Sequence, residues 1–317
     1  MRIESACLVG GSGFIGRHIA HLLTQEGVRV RIATRRRERV KQELIILPTV
    51  EVVEADVHQP AELLRLLAGC DVCVSLAGIL HETRRGDFAR VHTELPRKIV
   101  DACRARSVRR LIHVSALHAA HDAPSEYLRS KAGGEQQVRV AEASGIHTTI
   151  FRPSVVFGRE DRFLNLFAAL AHLLPVIVLA CPDARFQPVF VEDLARAIVD
   201  SLRRPDTFGQ AYELCGPQVY RLQELVEYVC RLTGHRRPIV GLGPRLSYLQ
   251  AWVMEWLPGK LMSRDNVASM KVDSVCGCGF PSLFGFEPTP LEAVAPGYLA
   301  RKAPRQRLNR LRLRAGR

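Results

Sequence analysis

The 317-residue sequence lacks the features that would place it outside the cell or across a membrane. Its nine cysteines show no framework of paired spacings, which fits a reducing cytosol better than an oxidised exterior. The chain begins with an apolar, strand-like segment and no basic-then-apolar leader, so we expect no signal peptide. Its most apolar run, residues 166–181, is shorter than a membrane span and contains His172 and Pro175. We therefore expect a cytoplasmic protein without a transmembrane helix.

A metal-ligand pattern is also missing. Cys276 and Cys278, in VCGCG, are too close together for a usual zinc site, and no histidine cluster lies near them. We interpret both as structural residues and expect no metal.

Acidic residues are absent from the last 17 residues, which contain eight Lys or Arg. The chain carries a net charge of +13, so these cations leave +5 (13 − 8) for residues 1–300. Such a tail is compatible with an anionic membrane surface, an acidic partner or nucleic acid, and equally with a solvated extension. It has no aromatic residue for base stacking, which makes nucleic acid an unfavoured partner.

The composition is not that of a disordered chain, because 47% of the residues are hydrophobic. In the first half, short apolar runs alternate with segments of helical length. The predicted strands are residues 6–10, 28–34, 50–56, 71–78, 110–116 and 147–154, and predicted helices include residues 14–27, 60–69 and 94–107. This alternation predicts an α/β fold, a Rossmann-type doubly wound parallel sheet.

Proline and glycine become more frequent in the second half, where the alternation weakens. We divide the chain into an NAD(P)-binding Rossmann core at residues 1–155 and a mixed α/β substrate or lid region at 156–300. The second region is expected to complete the core in part. Residues 301–317 form the basic tail.

A glycine-rich segment, LVGGSGFIGRHIA, follows the first predicted strand and opens the first helix. Gly10 suits the sharp turn, Gly13 allows the backbone to approach a pyrophosphate, and Gly16 permits close helix–strand packing. Free amides at the start of the helix would then face the phosphates. We expect cofactor contacts from Gly10, Gly11, Ser12, Gly13, Phe14, Ile15 and Gly16. A tight turn that binds nothing is the weaker alternative.

No acid ends the second predicted strand. A cofactor with a free ribose 2′-hydroxyl usually meets an acid about 20 residues beyond the glycines, and Thr34 occupies that place. Arg35, Arg36 and Arg37 follow, and guanidinium groups favour a 2′-phosphate. We therefore predict NADP(H) over NAD(H), with Thr34, Arg35 and Arg36 in contact. A solvated arginine cluster is the alternative.

Two further strand ends are candidates for cofactor contact. Asp56 and Val57 follow the third strand, where an adenine edge would lie. Leu76, Ala77 and Gly78 follow the fourth and offer small residues beside the cofactor.

Tyr127 and Lys131, in SEYLRSKAGGE, have the spacing that places two side chains on one helix face. A lysine ammonium there can lower the pKa of a neighbouring phenol, which is normally about 10. The pair is therefore a candidate for proton transfer. An ordinary helix face is the alternative.

The chain resembles the short-chain dehydrogenase/reductase superfamily, in its extended or atypical branch with epimerases and dehydratases. The motifs are GGSGFIG, EADV, SLAG, YLRSK, FRPSVVFG and PVFVEDLARAI, and they cover about residues 4–300. A narrower set, YLRSKAGGE, RPSVVFGREDRFLNLF, SRDNVASMKVD and PTPLEAV, is similar to the nucleotide-binding accessory subunit of respiratory complex I and its bacterial relatives. Those relatives include proteins implicated in ubiquinone biosynthesis.

The resemblance implies roles for individual residues. Tyr127 would act as acid or base toward a carbonyl or hydroxyl, and Lys131 would hold the nicotinamide ribose and lower the tyrosine pKa. The serine or threonine that normally assists falls on Ala116, while Ser115 lies one residue earlier, on the opposite face of a regular strand. We retain Ser115 as the third catalytic candidate and expect Pro153 beside the nicotinamide.

Two functions follow from the resemblance. The first is an NAD(P)(H)-binding protein with a structural, sensing or quinone-metabolism role, since the complex I relatives are understood to hold their nucleotide without established turnover. The alternative is an active NADP-dependent oxidoreductase or epimerase/dehydratase that uses Tyr127 and Lys131. A nucleic-acid-associated redox sensor is a third, weaker hypothesis that depends on the basic tail.

Both tryptophans lie in residues 246–262, where Leu249, Trp252, Val253, Trp256 and Leu257 have helical spacing. A lid packed on the core is one interpretation. Peripheral contact with an anionic membrane, at the cytoplasmic face of the inner membrane, is the other. A membrane-bound respiratory or quinone-biosynthesis complex would provide the same location.

Three polar residues of the second half have two interpretations each. Asp161 precedes a predicted helix and is expected to cap it, with substrate recognition as the alternative. Arg185 and Gln187 are expected to face the cleft or to pack within their segment.

Overall fold

The computed structural model describes residues 3–35, 37–38, 44, 46–256 and 261–300. In chain order the strands are β1 (Ser5–Val9), β2 (Arg29–Thr34), β3 (Val50–Glu54), β4 (Val72–Ser75), β5 (Arg110–Val114), β6 (His147–Pro153), β7 (Val156–Phe157), β8 (Ile177–Ala180), β9 (Arg185–Phe186), β10 (Val189–Phe190), β11 (Gln210–Leu214), β12 (Tyr220–Arg221) and β13 (Ile239–Leu242). The helices are α1 (Phe14–Gln25), α2 (Pro60–Leu67), α3 (Leu95–Ala105), α4 (Glu126–Val140), α5 (Phe163–Leu173), α6 (Val191–Ser201), α7 (Leu222–Thr233), α8 (Pro244–Glu255), α9 (Arg264–Ser269), α10 (Leu291–Val294) and α11 (Pro296–Leu299). A π-helical segment, Ala89–Glu94, leads into α3.

The chain forms two compact units. The first takes its described residues from Met1–Pro153, Val191–Leu214 and Pro281–Phe286. The second takes its described residues from Ser154–Phe190, Cys215–Phe280 and Glu287–Arg317.

A parallel sheet is the frame of the first unit, with the strand order β11-β6-β5-β4-β1-β2-β3 among the described residues. All neighbouring strands run parallel. Every residue of β1, β4 and β5 is buried, as expected for strands covered by helices on both faces. The predicted doubly wound fold is therefore confirmed.

The observed strands end earlier than predicted. β3 ends at Glu54, β4 at Ser75 and β5 at Val114, because pairing with the neighbouring strands stops there. The residues that follow are therefore loops at one edge of the sheet. β11 was not predicted as a strand; it pairs with β6, where Gln210 lies opposite Thr149.

In the second unit, short strands pair in twos: β7 with β10, β8 with β13, and β9 with β12. Its largest core cluster includes Phe157, Leu164 and Leu225. Asp161 caps α5, since its Oδ1 accepts the Leu164 amide at 2.6 Å, and Tyr298 donates to its Oδ2 at 3.0 Å. The capping interpretation of Asp161 is confirmed.

Cys215 and Cys276 form a disulfide, although no spacing in the sequence indicated a pair. The two residues are separated by 61 positions, so only the fold brings them together. Among the described helices, none has both the length and the apolarity that a membrane span requires.

Helix α8 does not pack as a lid over a core. It buries only Ser247 and Ala251, whereas Trp252 is 44% exposed and Trp256 79% exposed. The two indole rings meet edge to face at 6.5 Å. The lid interpretation is therefore wrong for this helix, while Leu257 and residues 301–317 lie outside the described residues.

Candidate functional site

The candidate site lies at the carboxyl edge of the parallel sheet, between β1 and β4. From β1 the chain proceeds outward through β2 and β3 on one side, and through β4, β5 and β6 on the other. Loops that leave neighbouring strands in opposite directions create a crevice, which is the usual ligand site of such sheets. The loops after β1 and β4 meet there, because a Cβ on Gly10 would lie 2.8 Å from the Ala77 nitrogen.

The glycine-rich loop has little space for side chains at three of its positions. Gly10 has a φ of +88°, in the left-handed region that favours glycine. A Cβ on Gly11 would lie 2.6 Å from Leu8 Cβ, and a Cβ on Gly16 would lie 2.5 Å from Gly11 Cα. Gly16 thus allows α1 to pack closely on the loop.

Gly13, by contrast, is exposed, and a Cβ there would meet only the Gly10 carbonyl oxygen, at 3.2 Å. Helix α1 begins at Phe14, without a side-chain cap or an acid in its first turn among the described residues. Its amide donors and positive dipole end are therefore available to an anion such as a pyrophosphate. Ser12, Phe14 and Ile15 are half-buried beside this end.

Next to β1 in the sheet, β2 ends in Thr34, whose carbonyl accepts the Ala55 amide at 3.0 Å. Arg35 follows and is exposed, while Arg36 lies outside the described residues. A surface depression of about 420 Å³ is lined by Arg35, Glu54, Ala55, Asp56, Gln59 and Glu62. Arg35 therefore lines this depression together with three acidic residues.

Asp56 and Val57 differ in their surroundings. The exposed Asp56 accepts the His58 amide on Oδ1 at 3.0 Å and closes the turn that leads into α2. Val57 is half-buried against the hydrophobic core of the sheet.

Lys131 is buried in α4, whose N-terminus is capped by Ser125 through the Leu128 amide. Its Nζ donates to the Val114 carbonyl at 3.2 Å, and a Cβ on Gly78 would lie 3.3 Å from the same Nζ. Burial lowers the pKa of Lys131 to about 8, an effect that the Glu135 carboxylate partly offsets. The Lys131 ammonium is thus held between the end of β5 and the loop after β4.

Tyr127 lies one helical turn before Lys131, with the lysine Nζ 6.0 Å from its ring centroid. Its half-buried ring packs in a small apolar cluster with Ala116, Ala123 and Leu128. The structure therefore places the methyl group of Ala116 in the same cluster as the tyrosine.

Ser115 is buried, and its amide donates to the Phe151 carbonyl at 2.8 Å. Its hydroxyl is also buried and has no hydrogen-bond partner among the described residues, so it makes no hydrogen bond to Tyr127. The geometry brings Tyr127 and Lys131 together but does not connect the Ser115 hydroxyl to them.

Pro153 is the last residue of β6, next to β5 in the sheet. It is buried, and its carbonyl accepts the Leu117 amide at 3.1 Å. It therefore stands at the same sheet edge as Ser115 and Lys131.

Sequence reasoning missed His92, which lies in the π-helical segment. Its Nε2 accepts the Ile79 amide at 3.0 Å, and its Nδ1 lies 2.9 Å from Ser130 Oγ, which donates to the Tyr127 carbonyl at 2.7 Å. Because an amide can only donate, the proton belongs on Nδ1. Burial, and then the charge of Lys131, lowers the pKa of His92 to about 2, which keeps the ring neutral. The imidazole thus connects the loop after β4 to helix α4.

Gly133 and Gly134 allow that connection by close helix packing. A Cβ on Gly134 would lie 2.1 Å from the His92 carbonyl oxygen, and one on Gly133 would lie 2.7 Å from Thr93 Oγ1. Two adjacent glycines in SEYLRSKAGGE, the segment in which Tyr127 and Lys131 have helical spacing, were the available sign of this approach. No residue spacing in the sequence indicated that His92 belongs to the site.

Similarity to known proteins supports a nucleotide site. Residues 6–215 match the model of the NAD dependent epimerase/dehydratase family. The chain is 34% identical over 303 residues to NADH dehydrogenase (ubiquinone) 1 alpha subcomplex subunit 9, mitochondrial, of Mus musculus, which covers 90% of this chain and 77% of that protein. It is 36% identical over 199 residues to the ceramide reductase of Caulobacter vibrioides, covering 62% of this chain and 61% of that protein.

The fold is also found among solved structures. MoeE5 in complex with UDP-glucose and NAD superposes with a TM-score of 0.74 and 17% identity, over 96% of this chain and 99% of that one. At this identity the likeness concerns the fold alone.

Proposed function

The chain belongs to the NAD dependent epimerase/dehydratase family, and on this premise we propose that it binds a nicotinamide dinucleotide and retains NADP(H) as a structural or sensing element with little turnover. The observation that carries this proposal is the position of Ala116. It packs in the cluster of Tyr127, where the superfamily resemblance calls for a hydroxyl.

The missing hydroxyl has a chemical consequence. Reduction of a carbonyl builds negative charge on oxygen, and a second hydrogen-bond donor stabilises that charge. Removal of one such donor from an enzyme lowers the rate by about 10²–10³. The absence of a hydrogen bond between the Ser115 hydroxyl and Tyr127 supports this proposal. The Lys131 ammonium, held at the Val114 carbonyl, supports a role in binding a ribose whether or not a reaction follows.

The preference for NADP(H) rests on Arg35. It follows directly after β2, no acid ends that strand, and Arg35 lines the depression beside the loop after β3. A 2′-phosphate beside Arg35 would gain a charge-assisted hydrogen bond.

The test is the identity and redox state of the nucleotide released from gently purified, then denatured protein. Retained NADPH that quinones, aldehydes and sugar nucleotides fail to oxidise is the expected result. An empty or freely exchanging site, with NADPH oxidised when one of these substrates is added, would overturn the proposal. An Ala116→Ser variant is the matched control, and we expect it to gain carbonyl-dependent NADPH oxidation.

An active NADP-dependent oxidoreductase is the second candidate. It is favoured by the Tyr127 and Lys131 pair, and a relative is named as a ceramide reductase. This candidate requires that wild-type protein oxidise NADPH with a carbonyl substrate, and that Tyr127→Phe lose this activity while retaining the nucleotide.

We further propose that the protein associates with an anionic membrane surface, where it would meet a respiratory or quinone-related complex. Leu249, Trp252 and Val253 on α8 form an exposed apolar face with Trp256, which directly follows the helix. Arg245 is exposed at the start of the same helix. Tryptophan and cations of this kind suit a lipid interface. Similarity to a mitochondrial NADH dehydrogenase subunit supports the same location.

Sedimentation with vesicles tests this association. Wild-type protein is expected to sediment with vesicles containing phosphatidylglycerol at low salt, and Trp252→Ala with Trp256→Ala is expected to weaken that binding. Protein that stays in the supernatant with these vesicles would refute membrane association.

A further inference from the structure

Three cysteines of the second unit are placed for chemistry that the nucleotide site does not use. Cys215 and Cys276 form the disulfide, with their Cα atoms 6.0 Å apart. Cys278, two residues beyond Cys276, is an exposed free thiol. Cys276 is half-buried, whereas Cys215 is only 3% exposed. Cys276 is therefore the more accessible of the two disulfide-bonded residues.

Cys278 can reach the Cys276 sulfur after local movement of the chain. Two residues span at most about 7 Å, and a disulfide requires Cα atoms about 4.4–6.8 Å apart. A bend at Gly277 satisfies this requirement, and a Cβ built on Gly277 or Gly279 would meet no heavy atom within 4 Å. The Cβ positions of both glycines thus face open space.

We propose that Cys215, Cys276 and Cys278 form a thiol–disulfide exchange centre. The Cys278 thiolate attacks Cys276 Sγ, a Cys276–Cys278 bond forms, and the Cys215–Cys276 bond breaks. The electron pair of the broken bond leaves on the Cys215 sulfur, which takes up the proton that Cys278 lost. The exchange involves no net oxidation, so it needs no external oxidant.

A low-molecular-weight thiol is the external substrate of this centre. One thiolate attacks Cys276 Sγ and forms a mixed disulfide, and Cys215 leaves as a thiol. Cys278 then attacks Cys276 Sγ, forms the Cys276–Cys278 bond and releases the small thiol unchanged. Two small thiols can instead reduce the disulfide completely, and they leave as one oxidised small-molecule disulfide.

Gln187 makes the exchange reversible, because it holds both segments independently of the disulfide. Its side-chain Nε2 donates to the Gly216 carbonyl at 2.7 Å, and its Oε1 accepts the Cys276 amide at 3.0 Å. Its backbone amide also donates to the Ser274 carbonyl, at 2.9 Å. When the Cys215–Cys276 bond opens, these hydrogen bonds keep the two segments in register for closure.

Peptide mapping tests the exchange. The full-length protein is equilibrated in glutathione buffers of graded redox poise, quenched with acid, alkylated and digested. We expect two linkages, Cys215–Cys276 and Cys276–Cys278, with alkylation of Cys278 falling as that of Cys215 rises. Cys278 fully alkylated at every poise, with no Cys276–Cys278 peptide, would overturn the proposal.

Two variants keep the result interpretable. Cys278→Ser changes only an exposed side chain, and it is expected to retain Cys215–Cys276 and to lose the second linkage. Cys215→Ser is expected to form Cys276–Cys278 in oxidising buffer. If Cys276 and Cys278 both remain free thiols in Cys215→Ser, or if Cys215 and Cys276 never pair in the wild type, no exchange centre exists.

Discussion

Replacing Lys131 with Met should stabilise the nucleotide-free protein near neutral pH. Burial lowers the pKa of this lysine from 10.5 to about 8. At about 1.4 kcal/mol for each pH unit, the buried ammonium destabilises the folded state by about 3 kcal/mol when it is charged in both states. Methionine removes this destabilisation of the folded state. It also leaves the Val114 carbonyl without its hydrogen-bond donor, which lowers stability by about 1 kcal/mol. We expect a net gain of about 2 kcal/mol.

The pH dependence has a definite sign. Below pH 8 the lysine is charged in the folded and unfolded states, so the full destabilisation is present. Between pH 8 and 10.5 the unfolded state binds more protons than the folded state, and the wild-type protein becomes more stable as pH rises. The advantage of Lys131→Met should therefore shrink over this interval and turn into a deficit of about 1 kcal/mol above it, where only the lost hydrogen bond to the Val114 carbonyl remains.

Urea unfolding of both proteins without nucleotide, from pH 7 to 10.5, measures this difference. Lys98→Met controls for the substitution itself, since Lys98 is a half-buried lysine on α3 whose Nζ donates to the His58 carbonyl. Equal stability of wild type and Lys131→Met at pH 7.5, or a difference that does not change with pH, would show that the buried ammonium carries no such destabilisation.

Three further predictions concern other parts of the molecule. Arg35→Asp should weaken NADP(H) binding by about 10–100-fold through the loss of one charge-assisted hydrogen bond, while NAD(H) binding is maintained. Calorimetry with both nucleotides measures the ratio of the two affinities, and an equal loss of NADP(H) and NAD(H) binding would contradict the prediction. Gly134→Ala should destabilise the protein by about 2–3 kcal/mol in a urea titration, because its Cβ would lie 2.1 Å from the His92 carbonyl oxygen. Gly297→Ala in α11 is the control: its Cβ would meet no heavy atom within 4 Å, so this variant should be neutral or slightly stabilising. Reduction of the disulfide should lower the free energy of unfolding by about 4 kcal/mol, the chain-entropy value for a cross-link between residues 61 positions apart. A urea midpoint that does not change when reductant is added would rule out this contribution.

The sheet and the glycine-rich turn could be predicted because they depend on local patterns. Apolar runs of strand length, separated by segments of helical length, were sufficient to predict a doubly wound parallel sheet. Position 10 requires glycine because its backbone φ lies in the left-handed region. The carboxyl ends of neighbouring parallel strands necessarily lie at the same edge of the sheet. β11 escaped prediction because its five residues become a strand only by pairing with β6.

Contacts between distant residues needed the tertiary structure. The disulfide, the hydrogen bonds of His92 and the packing of Ala116 in the cluster of Tyr127 depend on where separate elements meet, which no spacing in the chain encodes. Helix α8 shows the same limit: its apolar spacing fits a buried or an exposed face equally, and only the fold left Trp252 and Trp256 in solvent. The sequence by itself thus determined the sheet and the residues at its edge, because both follow from short-range periodicity. The tertiary structure alone decided which of those side chains meet, because that depends on the three-dimensional path of the backbone.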